Sequence, residues 1–164
     1  MKTIEYFARQ LTHYINVLLG AVCSTILVVL VSCMTYQVTA RNFLGGSSTV
    51  LDEFSQILFM WLILLGGVYA AGLKRHLAID FIANKLPFGI KFWLDKVIHA
   101  ITITFASLFM VYGGRILMQK SAFVSQVTPA LRWHMEWIYV VMPIGGILLI
   151  YYSLFHIFYS SINK

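Results

Sequence analysis

Residues 54–73 read FSQILFMWLILLGGVYAAGL, a run of 20 residues between Glu53 and Lys74 without a single Asp, Glu, Lys or Arg. About 20 apolar residues in a helix cover the hydrocarbon core of a bilayer, so this segment reads as a membrane span. Working outward, the same gap in charge recurs at 10–40, 97–114 and 137–163, with lengths of 31, 18 and 27 residues. Only 18 of the 164 residues carry full charge, 60% are hydrophobic, and the mean hydropathy is +0.81, whereas a soluble domain carries about 25% charged residues. The sequence therefore predicts an all-α integral membrane protein. It is expected to form a single membrane domain over 1–164, with four transmembrane helices at about 13–38, 54–73, 94–116 and 137–160. The segments between the charge-free runs hold 13, 23 and 22 residues, too few for a soluble catalytic domain.

The amino terminus extends this picture. The apolar stretch is far longer than the core of a signal peptide, so it reads as a retained helix. Before it, Ile4, Phe7, Ala8 and Leu11 fall at helical spacing against Lys2, Glu5 and Arg9, the pattern of a short amphipathic helix at the membrane surface. Loop charge then sets orientation. Lys2, Arg9, Lys74, Arg75, Lys85, Lys91, Lys96 and Lys164 fall on one side, and Arg41, Arg115, Lys120 and Arg132 on the other. Positive residues accumulate on the cytoplasmic side, which places both termini inside. The net charge of +6 and pI near 9.4 do not point to nucleic acid, because the basic residues stand singly at span ends and form no stripe.

Chemistry inside the spans is sparse. None contains Asp, Glu, Lys or Arg, although transport pathways and proton relays usually place such groups near the midplane. Cys23 and Cys33 share the first span, roughly 15 Å of helix apart, and cannot pair. His13, His99 and His156 all lie towards one end of their helices, so a four-helix haem b anchor with two histidine ligands is an alternative reading. A free-standing scaffold or channel is another, for which Ser24, Thr25, Ser32, Thr35 and Thr39 are the only candidate lining. No zinc spacing, nucleophile triad or phosphate-binding glycine loop occurs, and the chain is not expected to be an enzyme.

The informative residues cluster around the second span. Gly45, Gly46, Ser47 and Ser48 form a turn, Thr49 is placed to cap the helix, and Asp52 and Glu53 meet its positive end. Capping alone would account for both acids; a pairing with a cation on a neighbouring helix or subunit is the alternative. Gly66 with Ala70, and Gly67 with Ala71, are overlapping small-xxx-small pairs that let another helix approach, whether in this chain or another. His76 and Asp80, four apart, share a helix face. Pro87 breaks the segment, and Phe88, Phe92 and Trp93 with Lys91 and Lys96 form an interfacial belt. Around Pro129, Lys120, Arg132, Trp133, His134 and Trp137 have the make-up of an interface or headgroup surface.

In their order, Asp52-Glu53, Trp61, Leu65-Gly66, Ala70-Ala71, Lys74, His76, Ile79-Asp80 and Leu86-Pro87, followed by Pro129 and 137–143, resemble the small membrane subunit of the tripartite ATP-independent periplasmic (TRAP) transporters. That resemblance implies a multi-pass protein of the bacterial inner membrane. It further implies an accessory subunit supporting the scaffold domain of a large elevator-type partner, which binds substrate and sodium. A periplasmic binding protein would deliver an organic acid, of sialic acid or C4-dicarboxylate type. No cofactor is expected in this chain. The resemblance marks Asp52, Glu53, Trp61, Gly66, His76 and Asp80, with Gly67, Ala70 and Ala71 beside them, as structural and subunit-contact positions; none is a catalytic residue or substrate ligand.

Overall fold

The computed structural model describes residues 2–43, 48–73 and 88–162. Six α-helices and one π-helical segment account for nearly all of them: α1 (Lys2–Phe43), α2 (Thr49–Gly72), α3 (Phe88–Phe105), the π segment (Ala106–Gly113), α4 (Gly114–Phe123), α5 (Met135–Tyr139) and α6 (Val141–Ile162). Among the described residues four helical stretches are long and apolar enough to cross a membrane: Arg9–Phe43, Thr49–Gly72, Lys96–Phe123 and Met135–Ile157. These coincide with the four charge-free runs. In lipid every backbone polar group needs a partner within the protein, and a helix satisfies them all internally.

α1 packs on α2, α2 on α6, and α6 on α3 and the π segment, so α2 and α6 form the middle of the bundle. Thr12, Leu19, Ile26, Leu30, Gln37 and Ala40 are the buried positions of α1 between residues 9 and 43. Their spacings of seven, four and three residues trace one narrow seam, while Val17, Leu18, Val28 and Val31 point away from the bundle. The core joins that seam to α2 and α6 through Leu19, Ile26, Leu65, Val68, Val141 and Tyr152. α1 is continuous from Lys2 onwards, so no break sets its amphipathic start apart from the first span. At 42 residues it is about 63 Å long, twice the hydrocarbon thickness.

The third span contains the irregular element. Along the π segment Ala106 and Met110 are buried, as is Gly114 just beyond it. The wide turns keep these three, four residues apart, on one line against Pro143, Gly145 and Gly146 of α6.

Candidate functional site

The second span is fastened to its own chain at three levels. At its start, Glu53 Oε1 accepts from the backbone N–H of Ala130 at 2.8 Å, and Oε2 from that of Leu131 at 2.9 Å. Hydrogen bonds to an ionised acceptor are among the stronger kind. The loop they hold is tightly folded. Thr128 N–H donates to Trp133 O at 2.9 Å, Trp133 N–H returns to Thr128 Oγ1 at 3.1 Å, and Val127 and His134 form an isolated bridge. Ser125 and Arg132 take left-handed backbone conformations, with φ of 48° and 53°. Phe54 meets the Trp133 ring edge-on at 6.5 Å. Thr49 does not cap this helix: the cap position is Ser48, which makes no side-chain cap bond, and its carbonyl instead accepts from Leu51 and Asp52. The acidic pair is thereby split, with Glu53 spent on the loop and Asp52 exposed in the first turn.

Two residues further in, Ser55 is wholly buried and accepts from Gln37 Nε2 of α1 at 3.3 Å. Trp61 then donates its indole N–H to Ile138 O at 3.1 Å, fastening α2 to α5. Trp61→Phe keeps the ring and removes that bond, which is worth about 0.5–1.5 kcal/mol. The expected result is a melting midpoint lowered by roughly 2–5 °C, read by intrinsic fluorescence in detergent.

The far end of α2 closes on a polar node joining three helices. Tyr152 of α6, 1% exposed, donates to Asn16 Oδ1 of α1 at 2.5 Å, and Asn16 Nδ2 reaches Gly72 O at 3.5 Å. Thr12 Oγ1 and the Tyr151 hydroxyl lie 3.2 Å apart beside it. A side chain at Gly72 would collide with Asn16 and with the Tyr152 ring, so only glycine fits. Sequence reasoning missed Asn16, Gln37, Ser55 and Tyr152. The signal for two of them is the amide itself, since Asn or Gln inside an apolar span calls for a polar partner.

The small-residue pairs behave differently. A side chain added at Gly66 or Gly67 would meet nothing within 4 Å, and Gly67 and Ala70 are exposed while Gly66 and Ala71 are half-buried. Beside these two glycines the described residues leave open space. His76 and Asp80 lie outside the described residues.

Two other groups of candidates resolve into local packing. Thr25, Ser32, Thr35 and Thr39 each donate to the carbonyl four residues earlier in α1, at 2.8–2.9 Å, so their hydroxyls are satisfied by their own helix. His99 and His156 meet with ring centroids 5.6 Å apart, and His156 Nδ1 donates to Tyr152 O at 2.7 Å. His13 packs against Tyr14.

Residues 30–161, about four-fifths of the sequence, match the family model described as "Tripartite ATP-independent periplasmic transporters, DctQ component". The chain belongs to this TRAP transporter family. A Haemophilus influenzae protein described as a TRAP transporter small permease is 33% identical over 93 residues, 54% of this chain and 58% of the relative, so the match spans just over half of that protein. The sialic acid TRAP transporter small permease protein SiaQ of Vibrio cholerae is 24% identical over 156 residues, 92% of this chain and 85% of SiaQ. The sialic acid TRAP transporter permease protein SiaT of Haemophilus influenzae is 22% identical over 138 residues, covering 84% of this chain but 22% of SiaT. The DctQ family is a transporter component and not an enzyme, and its membership takes the place of the haem-anchor and free-standing readings.

Proposed function

We propose that this chain is the accessory small subunit of a sodium-coupled, binding-protein-dependent TRAP transporter in the bacterial inner membrane, with both termini cytoplasmic. It acts as one membrane domain that packs against the scaffold domain of a large elevator-type subunit and widens the fixed body against which the transport domain moves. Substrate and sodium bind the large subunit, and a periplasmic binding protein delivers an organic acid of sialic acid or C4-dicarboxylate type. The observation that carries this reading is the open space beside the small residues of α2. Gly66 and Gly67 have open space beside them, on a helix otherwise fastened to its own chain by Glu53, Ser55, Trp61 and Gly72. Without water to drive association, membrane helices join where small residues permit close backbone approach. SiaT adds support, since this chain matches about a fifth of that longer permease. SiaQ and SiaT, both named for sialic acid, favour that substrate class over dicarboxylates. Asp52, exposed at the mouth of the same helix, and His76 and Asp80 beyond its other end complete the proposed contact set.

Gly66→Leu tests the assignment. The variant should accumulate to within about twofold of the wild type, because none of the described residues lies within 4 Å of a Cβ at that position. Recovery of a large hydrophobic partner with tagged protein should fall at least roughly fivefold, the cost of forcing close-packed helices apart. Undiminished co-purification would move the contact to another face. A wild-type chain that brings down no large membrane protein would overturn the accessory role itself.

A further inference from the structure

We propose that the loop held by Glu53 is a lipid-binding surface, in which Trp133 and Trp137 sit at the boundary of acyl chains and headgroups while Lys120 and Arg132 bind anionic headgroup phosphates. Depth is the first argument. Glu53 immediately precedes the charge-free run 54–73, and its carboxylate grips the amides of Ala130 and Leu131, so the loop is pinned where the hydrocarbon ends. Trp137 opens the last charge-free run and marks the same level. The loop is also too compact to leave that layer. Residues 124–134 are folded back by Gln126 N–H to Ser121 O, by Met135 N–H to Gln126 O and by the Val127–His134 bridge. The headgroup region extends only about 5–8 Å beyond the hydrocarbon on each side.

What the loop presents fits that layer. Phe123 is 92% exposed, Trp137 70% and Trp133 50%, and tryptophan concentrates at the interface because its ring is apolar with one donor edge. Lys120 and Arg132 are exposed and form no ion pair among the described residues, with Glu136 or with Glu53, and Glu53 is already occupied by backbone donors. Two unpaired cations flanking exposed aromatic rings complement a phosphate above acyl chains.

The test uses the full chain with Cys23→Ala and Cys33→Ala, carrying an NBD label through Trp133→Cys or, as a second site, Trp137→Cys. The labelled protein is reconstituted in phosphatidylcholine vesicles with or without roughly one-third phosphatidylglycerol. At least one site should be quenched about threefold more by a nitroxide at acyl carbon 5 than by aqueous iodide. Nitroxide-labelled phosphatidylglycerol should quench about twofold more than the phosphatidylcholine analogue, and Lys120→Gln with Arg132→Gln should abolish that preference. Iodide quenching at both sites equal to that of free dye would overturn the proposal, as would equal quenching by the two lipids. Shielding that arises only when a large membrane subunit or a soluble protein is added would overturn it in favour of a protein occupant.

Discussion

Gly146→Leu is expected to abolish recovery of folded, monodisperse protein, whereas the same substitution at Gly66 leaves the chain folded. A side chain at 146 would place its first carbon 2.8 Å from Met110 Cβ, 2.9 Å from Val111 Cγ2 and 3.2 Å from Ala106 O. Two of those atoms cannot swing aside, because one is a backbone oxygen and the other is attached directly to the backbone. Relief requires α6 and the π segment to separate, and with them Gly145, which lies against Met110 and Val68 of the core. Overpacking of this kind costs about 1–3 kcal/mol where side chains can adjust, and more where they cannot. A loss of about 3 kcal/mol lowers the melting midpoint by roughly 10 °C, read by size exclusion and thermal fluorescence in one detergent. Equal melting of the Gly146→Leu and Gly66→Leu proteins would show that the glycine seam does not hold the third and fourth spans together.

The pairing of those two glycines shows where the sequence was sufficient. Spans follow from charge spacing because burying an unpaired charge in hydrocarbon is costly. That single term located all four helices, and the Lys96–Phe123 helix even runs through an eight-residue π segment without disturbing it. Glycine, by contrast, has the same letter at 66, where it faces open space, and at 146, where it is indispensable. Which is which depends on how α2 and α6 are rotated, a property of the assembled bundle.

The acidic pair presents the intermediate case. Two adjacent carboxylates at a helix start satisfy the dipole equally well, and nothing local distinguishes them. Successive helical residues point about 100° apart, so when Phe54 and Ser55 take their places against Trp133 and Gln37, Glu53 turns towards the loop and Asp52 away from it. α2 therefore serves as the hub of the chain. Its inward residues bind α1, the 128–133 loop, α5 and α6, and its outward face sets the exposed Phe59 and Ile63 beside the open space at Gly66 and Gly67. On the proposed reading, a helix held this firmly on one side offers a partner a fixed surface on the other.

Glu53→Ala should release the loop while sparing the spans. The backbone N–H groups of Ala130 and Leu131 donate to the two carboxylate oxygens, so removing the carboxylate leaves both to exchange with solvent. Hydrogen exchange at those two amides should accelerate by about tenfold or more, the factor that loss of one charge-assisted bond implies. Thr128 N–H, held by Trp133 O within the loop, should respond less. Glu53→Gln retains one acceptor oxygen and should fall between the two. Asp52→Asn alters only an exposed side chain and should leave these amides unchanged. If the pair acted together as a cap or a subunit bridge, Asp52→Asn and Glu53→Gln would instead have similar effects on partner recovery and none on amides 130 and 131. Because the loop is joined to the bundle through α4 and α5, its release should not change total helicity by circular dichroism. Unaltered exchange at Ala130 and Leu131 in Glu53→Ala would mean that the loop holds its own shape, with the carboxylate only resting against it.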